Sequence, residues 1–126
     1  MKKIINTPKA PAPIGPYNQA VLADNTLYIS GQIPMDPVTG ELISGDIQKE
    51  TRQCMENLRA ILEEAGMGFE QVVKTSIFVK DMGQFAQINE AYGQYFDTES
   101  APARETVEVA NLPKYVNVEI SMIAFR

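Results

Sequence analysis

The stretch at residues 46–65 reads DIQKETRQCMENLRAILEEA, and it predicts a long amphipathic helix. Its apolar and small residues recur every three or four positions, which places them on one buried face; they are Ile47, Thr51, Cys54, Leu58, Ile61 and Ala65. Asp46 suits the start of the helix because an acidic side chain interacts favourably with the free backbone N–H groups there, and Gly66 suits its end.

Strands are predicted on both sides of the helix. Residues 26–30 (TLYIS) and 71–80 (QVVKTSIFVK) are rich in β-branched and aromatic side chains, a composition that strands favour. In the second of these strands, alternation assigns to one face Val73, Thr75, Ile77 and Val79. Two closing strands are expected at 104–110 and 116–125, with residues 112–115 turning between them.

A second helix is expected between those strands, with Asp81 and Gln84 as its capping pair. Its apolar stripe consists of Phe85, Ile88, Tyr92 and either Tyr95 or Phe96. The order strands, helix, strand, helix, strands predicts an α+β domain in which an antiparallel or mixed sheet carries both helices on one face. Since no linker or low-complexity tract divides the chain, residues 1–126 are interpreted as a single domain.

Proline dominates the segment at residues 8–16, PKAPAPIGP. Because proline fixes φ and restricts the residue before it, we expect an ordered but irregular strap in this segment. Ile14, Tyr17 and Val21 would give the strap apolar surface to bury, and a loose N-terminal arm is the alternative.

Composition disfavours several classes of function. The 126 residues carry a net charge of −5, which opposes binding to nucleic-acid phosphates. There is no histidine and a single cysteine, Cys54, so we expect no zinc site, no histidine-based triad and no intramolecular disulfide. No apolar stretch approaches the roughly 20 residues of a membrane span, and the N-terminus does not resemble a signal peptide. We therefore expect a cytoplasmic protein with no membrane or nucleic-acid partner.

The last predicted strand has two unlike faces. One face carries Val116, Val118, Ile120 and Met122. The other face carries Asn117, Glu119 and Ser121, beside Ile123 and Phe125. The apolar face would meet the helices, whereas the mixed face is typical of a subunit interface that also holds a binding site. We therefore expect a homo-oligomer.

Two charged residues on the closing strands could carry chemistry. Arg104 shares a strand face with Thr106 and Glu108, and its guanidinium could bind a carboxylate through two parallel hydrogen bonds. The alternative is a structural ion pair with Glu105, Glu108 or Glu119. Glu119 interrupts an apolar strand and could act as a base or orient a water molecule if its pKa is raised in a cleft. An ordinary solvent-facing glutamate is the alternative there.

Other candidates give weaker signals. Tyr17 and Ser30 offer hydroxyl groups, but neither has a base beside it in the sequence. Cys54 lies on the apolar stripe of the first helix, where a small core residue is expected in place of a catalytic thiol. The residues alone therefore indicate a carboxylate-binding arginine and a candidate acid or base, without an assembled site.

Several short motifs occur in order along the chain. They are Ile14-Gly15-Pro16-Tyr17, Ser30-Gly31-Gln32-Ile33-Pro34, Val73-Lys74-Thr75 with Phe78-Val79-Lys80-Asp81, Pro102-Ala103-Arg104, Val107-Glu108-Val109-Ala110 with Leu112-Pro113, and Glu119-Ile120. In this order they closely resemble the reactive intermediate deaminase family (Rid, also called YjgF). The match extends over residues 5–126, and the ordered set is far more specific than any single motif.

The resemblance implies a chorismate-mutase-like α+β fold and a homotrimer with ligand sites in the clefts between subunits. It implies a cofactor-free enzyme without a metal that hydrolyses 2-aminoacrylate and 2-iminobutanoate, released by pyridoxal-phosphate enzymes. The products would be pyruvate or 2-oxobutanoate and ammonia. A non-catalytic binding or regulatory module is one alternative, and the ribonuclease or translation-inhibitor activity ascribed to some relatives is another. The acidic, histidine-free composition disfavours the last of these.

The resemblance also implies roles for individual residues. Arg104 would clamp the substrate carboxylate, and Glu119 would hold or activate the attacking water. The other matching pocket positions are Tyr17, Ser30, Gly31 and Asn89. Thr106 stands where many members of the family have cysteine, and it would serve equally well if that position contributes its backbone amide. We expect Arg104 and Glu119 to face one cleft with room for a four-carbon acid between them.

Overall fold

A computed structural model describes residues 1–126 as one mixed six-stranded sheet with two helices on one face. The strands are β1 (Lys2–Ile5), β2 (Ala20–Ala23), β3 (Thr26–Gln32), β4 (Val72–Val79), β5 (Ala103–Glu108) and β6 (Val118–Phe125). The helices are α1 (Ile47–Glu64) and α2 (Phe85–Gly93), with short 3₁₀ turns at Phe69–Gln71, Met82–Gln84, Thr98–Ser100 and Pro113–Tyr115. The strand order is β1-β2-β3-β6-β4-β5, and only the β4–β5 pair is parallel. The predicted α+β class is confirmed.

Helix α1 forms as its sequence predicts. The carboxylate of Asp46 accepts hydrogen bonds from the backbone N–H groups of Gln48 and Lys49 at 3.0 and 3.3 Å, which satisfies donors that the first turn leaves free. Gly66 follows the helix with a φ of 73°, a conformation that favours glycine. The whole predicted stripe is buried, so α1 lies over the sheet on the expected face.

Both helices enclose a single hydrophobic core against the sheet. Leu58 and Ile61 of α1 and Ile88 of α2 belong to the same buried cluster as Ile77 of β4 and Ile120 of β6. Full burial of one such side chain stabilises a fold by about 1.5–3 kcal/mol. The helix-covered face is therefore where the stability of the fold is concentrated.

Helix α2 is shorter than its apolar stripe predicted. Asp81 caps the 3₁₀ turn that precedes α2, accepting a hydrogen bond of 2.8 Å from a backbone N–H. Gln84 makes no capping hydrogen bond, so the expected capping pair is not formed. Tyr95 and Phe96 lie beyond the end of α2 and pack edge-on against Phe69 beside the core. Neither α1 nor α2 is long and apolar enough to cross a membrane.

A bulge at the start of β4 corrects the predicted alternation. Residues 75–79 alternate as expected, but the register with β6 shifts between Val72 and Lys74. Val73 is consequently exposed and does not share the buried face of Thr75, Ile77 and Val79 as predicted, and Val72 is buried instead. An extra residue in one strand reverses the inside and outside positions on its far side, and alternation alone cannot locate such a step.

The N-terminal segment contains two strands that the sequence did not indicate. β1 and β2 pair antiparallel with Lys2 opposite Ala23, and β2 continues antiparallel onto β3. Each of these strands has four residues, too few for alternation to stand out. Their pairing with each other and with β3 holds them in the sheet.

The strap at residues 8–16 is irregular, as predicted, but its expected apolar anchors are wrong. Ile14 and Tyr17 are exposed, and Val21 is only partly buried. The buried side chains in and around the strap are those of Thr7, Ala10 and Gln19. The polar side chain of Gln19 anchors this segment through hydrogen bonds of its amide to backbone carbonyl groups.

Candidate functional site

Arg104 lies on the helix side of the sheet, at its β5 edge. The parallel register pairs Arg104 with Thr75, a fully buried residue beneath the helices, and paired residues of neighbouring strands point to the same face. The Arg104 guanidinium donates a hydrogen bond of 2.7 Å from Nη1 to Oδ1 of Asn89 on α2. Two of the predicted site residues are thus in direct contact.

Two aromatic rings flank the Arg104 guanidinium. Its Cζ atom lies 5.6 Å from the ring centre of Phe85 and 5.1 Å from that of Tyr92, which is within the range of cation–π attraction. The Tyr92 hydroxyl donates a hydrogen bond of 3.0 Å to Oγ1 of Thr75. Burial raises the pKa of the Tyr92 phenol, which keeps this donor neutral. The rings and the Asn89 amide together restrict the orientation of the guanidinium.

Arg104 makes no ion pair within the chain, so the structural alternative for this residue is not observed. Glu105 binds Lys74 instead, at 2.8 Å, and Glu108 accepts a backbone hydrogen bond of 2.8 Å. The remaining N–H groups of the Arg104 guanidinium have no partner within the chain. Arg104 lies beside a shallow open depression. The residues that line it are Met82, Phe85, Arg104 and Thr106. An unpaired guanidinium beside open space is suited to binding an anion.

Thr106 contributes a second polar group to this depression. It pairs with the buried Ile77 of β4, so it points to the same face as Arg104. Its Oγ1 is buried and has no hydrogen-bond partner within the chain. An unpaired buried hydroxyl typically costs about 1–3 kcal/mol, so this atom has unused capacity to donate or accept.

Glu119 and Gly31 are in contact on the open face of the sheet. Glu119 is partly buried on β6, and burial raises the pKa of its carboxyl above the ordinary value. A methyl group on Gly31 would lie 2.8 Å from Cδ of Glu119, closer than such atoms approach in proteins. Glycine at this position therefore leaves room for the Glu119 carboxylate, which would have to shift if a larger residue replaced it.

Tyr17 and Ser30 lie near Gly31. Tyr17 lines a small crevice that Gly31 also lines, and its hydroxyl accepts a hydrogen bond of 3.4 Å from the backbone N–H of Ile14. The Ser30 hydroxyl donates a hydrogen bond of 2.7 Å to the backbone carbonyl of Asn18. The hydroxyl proton of Ser30 is therefore already used in a hydrogen bond to the chain that follows the strap. The second group of predicted site residues consists of Tyr17, Ser30, Gly31 and Glu119.

Within one chain, Arg104 and Glu119 lie on opposite faces of the sheet. Arg104 pairs with Thr75 of β4, and Glu119 pairs with Phe78 of the same strand, three positions away. An odd separation along a strand means opposite faces. The expectation that Arg104 and Glu119 face one cleft is therefore wrong for a single chain. Alternation assigns two faces to each strand, but the register between strands decides which faces coincide.

Sequence reasoning missed the aromatic residues around Arg104 as part of the site. Phe85, Asn89 and Tyr92 lie at i, i+4 and i+7, so a signal placing them on one face of α2 was present. The apolar members were interpreted only as core stripe. Nothing in the sequence indicated that this face meets the β5 edge where Arg104 emerges.

The single cysteine is a core residue, as predicted. Cys54 is fully buried, with its Sγ 3.9 Å from the carbonyl oxygen of Val118. Burial raises the pKa of the Cys54 thiol, and the negative charges of Glu119 and Glu50 raise it further. A buried, protonated thiol is a poor nucleophile. The chain assembles no cluster of three or more cysteine, aspartate or glutamate side chains that could hold a metal ion.

Comparisons of sequence and structure agree on the family. The family model described as Endoribonuclease L-PSP matches residues 7–126. A RutC family protein of Pyrococcus horikoshii is 54% identical over 126 residues, covering 100% of this chain and 99% of that protein. The human protein named 2-iminobutanoate/2-iminopropanoate deaminase is 47% identical over 126 residues, covering 100% of this chain and 91% of its own length. The crystal structure of E. coli TdcF with bound serine has a TM-score of 0.92 and 45% identity, covering 98% of each chain.

The fold and these matches define a small α+β protein of the Rid class. The chain belongs to the family known as Rid, YjgF or RutC, as its ordered motifs indicated. Relatives in this family include proteins named as imine deaminases.

Proposed function

We propose that this protein is a 2-iminobutanoate/2-iminopropanoate deaminase, which acts in the cytoplasm on imino acids released by pyridoxal-phosphate enzymes. The observation that carries the proposal is the Arg104 guanidinium, oriented by Asn89 and two aromatic rings yet without a carboxylate partner in the chain. Its planar fork suits two-point binding of a small carboxylate. The name of the human relative, at 47% identity, supports the same substrate class.

The proposed reaction needs a carboxylate anchor and a group that manages one water molecule. Arg104 binds the substrate carboxylate, and Glu119 holds the water against the imine carbon. The water oxygen bonds to that carbon, the nitrogen takes up protons, and the resulting carbinolamine loses ammonia to leave a 2-oxo acid. A carboxyl with a raised pKa exchanges protons more readily near neutral pH. All atoms of the products come from the imine and one water, so the balance requires no cofactor.

The other site residues shape the pocket in this proposal. Asn89 keeps the guanidinium oriented, and Gly31 leaves room for the Glu119 carboxylate while bringing backbone groups close to the ligand. Thr106 offers a hydroxyl without a partner beside Arg104. The border of the pocket is completed by Tyr17 and Ser30.

The proposal requires two copies of the chain, because one copy has Arg104 and Glu119 on opposite faces. The open face of the sheet offers apolar surface for such an assembly; its exposed apolar side chains include Tyr28, Val107 and Phe125. In a homotrimer of the kind that the family resemblance implies, the β5 edge of one copy would meet the Glu119 face of the next. Each site would then take Arg104 from one subunit and Glu119 from another.

Subunit mixing tests this arrangement. Arg104→Ala and Glu119→Gln should each abolish activity when every subunit carries the change. Co-assembly of the two variants should restore activity to a fraction of the sites, because some clefts then hold both native residues. No recovery in verified mixed assemblies would refute a site shared between subunits.

A coupled assay tests the reaction. Threonine and a threonine dehydratase generate 2-iminobutanoate, semicarbazide traps it, and the protein competes for the free imine. We expect wild type to suppress semicarbazone formation and Arg104→Ala to lose this effect. Arg104→Lys is the matched control, because it keeps the charge but loses the planar fork. A correctly assembled wild-type protein that leaves semicarbazone formation unchanged would refute the proposal for this substrate.

A non-catalytic carboxylate-binding module is the second candidate. It is favoured by the division of the site, since one chain alone presents the Arg104 half without Glu119. Such a protein would bind 2-oxobutanoate but would not accelerate imine loss. A ribonuclease, as the family description suggests, fits the net charge of −5 poorly. RNA affinity that falls steeply with added salt would support the ribonuclease hypothesis.

A further inference from the structure

Gln19 is a buried polar residue that the proposed chemistry does not use. It lies immediately before β2 and is only 2% exposed. Its Oε1 accepts a hydrogen bond of 2.6 Å from the backbone N–H of Thr7. Its Nε2 donates to the carbonyl oxygens of Thr7, Ala10 and Pro11 at 3.0, 3.1 and 2.8 Å. One side-chain amide thus reaches four backbone groups of the N-terminal segment.

The strap depends on this amide because it has little backbone hydrogen bonding of its own. Its prolines lack N–H groups, and residues 11–14 have no regular structure. Within residues 7–11 the one backbone hydrogen bond is a long one, 3.4 Å from the N–H of Ala10 to the carbonyl of Thr7. Buried carbonyl groups without donors are strongly unfavourable. Removing the Gln19 amide therefore takes partners from the turn that carries the strap.

The backbone at Gln19 also connects this segment to β3, whose Gly31 contacts the Glu119 carboxylate of β6. The carbonyl of Gln19 accepts a hydrogen bond of 2.9 Å from the N–H of Ser30, and the Ser30 hydroxyl donates to the carbonyl of Asn18. Ser30 directly precedes Gly31, against which the Glu119 carboxylate packs. Hydrogen bonds of Asn18 and Gln19 therefore link the chain that follows the strap to the backbone beside the Glu119 carboxylate.

The strap also determines where Tyr17 lies. Tyr17, Gln19 and Gly31 line the same small crevice between the strap and the end of β3. Tyr17 itself is exposed, so the core does not fix its position. The hydrogen bonds of Gln19 therefore hold one wall of this crevice against the other.

We propose that Gln19 is a positioning residue for the Glu119 half of the site, an assignment that rests on the proposed imine hydrolysis. It fixes the strap so that Tyr17 and the Ser30–Gly31 backbone keep their places around the Glu119 carboxylate. The Arg104 half shares no hydrogen bond with the strap and lies on the other face of the sheet. Loss of Gln19 should therefore slow the water-dependent step and leave the carboxylate anchor intact.

Two substitutions test this role. Gln19→Glu keeps the shape and the acceptor for Thr7, but it presents a carboxylate to three carbonyl oxygens. Gln19→Met keeps the approximate volume and removes every hydrogen bond of the amide. We expect kcat in the coupled assay to fall roughly 10- to 100-fold, with less than about a twofold change in the Kd of 2-oxobutanoate measured by calorimetry. Gln19→Glu remains informative if Gln19→Met does not fold.

Leu62→Ala is the control for a general loss of stability, since Leu62 is fully buried in α1 and its truncation removes none of the hydrogen bonds that hold the strap. It should weaken the fold while keeping kcat near the wild-type value. Equal losses of kcat in Leu62→Ala and the Gln19 variants would overturn the positioning role. So would parallel losses of kcat and of 2-oxobutanoate affinity in the Gln19 variants.

Amide hydrogen exchange separates this inference from the proposed function. If wild type hydrolyses no imine, the proposed function fails, and the role of Gln19 is then judged by exchange alone. The N–H group of Thr7 should exchange faster in Gln19→Met, which removes its acceptor, than in Leu62→Ala, and the N–H group of Ser30 should exchange faster in both Gln19 variants than in Leu62→Ala. Unchanged exchange at both positions would overturn the inference.

Discussion

Replacing Gly31 with alanine should disable the proposed reaction while leaving the fold intact. The added methyl group would lie 2.8 Å from Cδ of Glu119 and 2.9 Å from its Oε2. Ordinary carbon contacts are about 3.5–4.0 Å, so the Glu119 side chain must withdraw by roughly 0.7–1.2 Å from the 2.8 Å position. Misplacing a catalytic group by about 1 Å can lower a rate by ~10²-fold. We therefore expect kcat to fall by about two orders of magnitude.

The fold should tolerate the same change. The clashing atoms belong to the end of a flexible side chain, and Gly31 does not have a left-handed φ. We expect the free energy of unfolding to stay within about 1 kcal/mol of wild type. Gly93→Ala is the matched control, because a methyl group there meets nothing within 4 Å. The assay pairs kcat from imine competition with urea unfolding of each variant.

Two outcomes would refute this reasoning. A Gly31→Ala variant with wild-type kcat would mean that the position of the Glu119 carboxylate does not limit the reaction. A variant that is inactive only because it unfolds or fails to assemble would make Gly31 a purely structural residue. The double variant Gly31→Ala with Glu119→Asp adds a direct check, since the shorter side chain makes room for the methyl group. Partial recovery of kcat in the double variant is expected if steric displacement is the cause.

The raised pKa of Glu119 predicts opposite effects of pH on activity and stability. kcat/KM should fall as the pH is lowered through the raised pKa, because the carboxylate must be ionised to accept a proton, and a flat profile would contradict this role. The folded state binds this proton more tightly than the unfolded state, so its stabilising contribution is present at low pH and is lost as the pH rises through the raised pKa. Glu119→Gln should therefore unfold at a higher urea concentration than wild type at neutral pH, and a lower midpoint would contradict the shift. Tyr92→Phe removes the 3.0 Å hydrogen bond to Thr75 and should lower the free energy of unfolding by about 0.5–1.5 kcal/mol, as measured with urea. Cys54 should resist iodoacetamide in the folded protein and react only on unfolding, as followed by mass spectrometry; rapid alkylation of the native state would contradict its burial.

Local signals made part of the fold predictable. Helix α1 carries its cap at Asp46, its buried stripe and its stop at Gly66 within one continuous stretch, and each feature forms as expected. The two faces of β6 were also predicted correctly, because alternation is a property of a single strand. β1 and β2 had no such signal, since each is held by pairing with a neighbouring strand.

The sequence proposed candidate site residues but not their geometry, and their roles stay predictions. Arg104 was a candidate because a guanidinium can bind a carboxylate through two hydrogen bonds, and Glu119 because it interrupts an otherwise apolar strand. The aromatic setting of Arg104 was not deduced, because it requires α2 to pack beside the β5 edge. The anchoring role of Gln19 also stayed hidden, since its backbone partners become neighbours only when the strap folds back over it.

The amino-acid order shows which groups are available to the protein: an arginine, a carboxylate, a proline-rich strap, and strands with two distinct faces. Their orientation toward one another follows from the fold. Arg104 pairs with Thr75 in the β4–β5 register, and Glu119 pairs with Phe78 in the β4–β6 register. Since Thr75 and Phe78 point to opposite faces of β4, so do Arg104 and Glu119. The physical reason is that side-chain direction along a strand follows from local backbone geometry, whereas register is set by hydrogen bonds and core packing between distant segments.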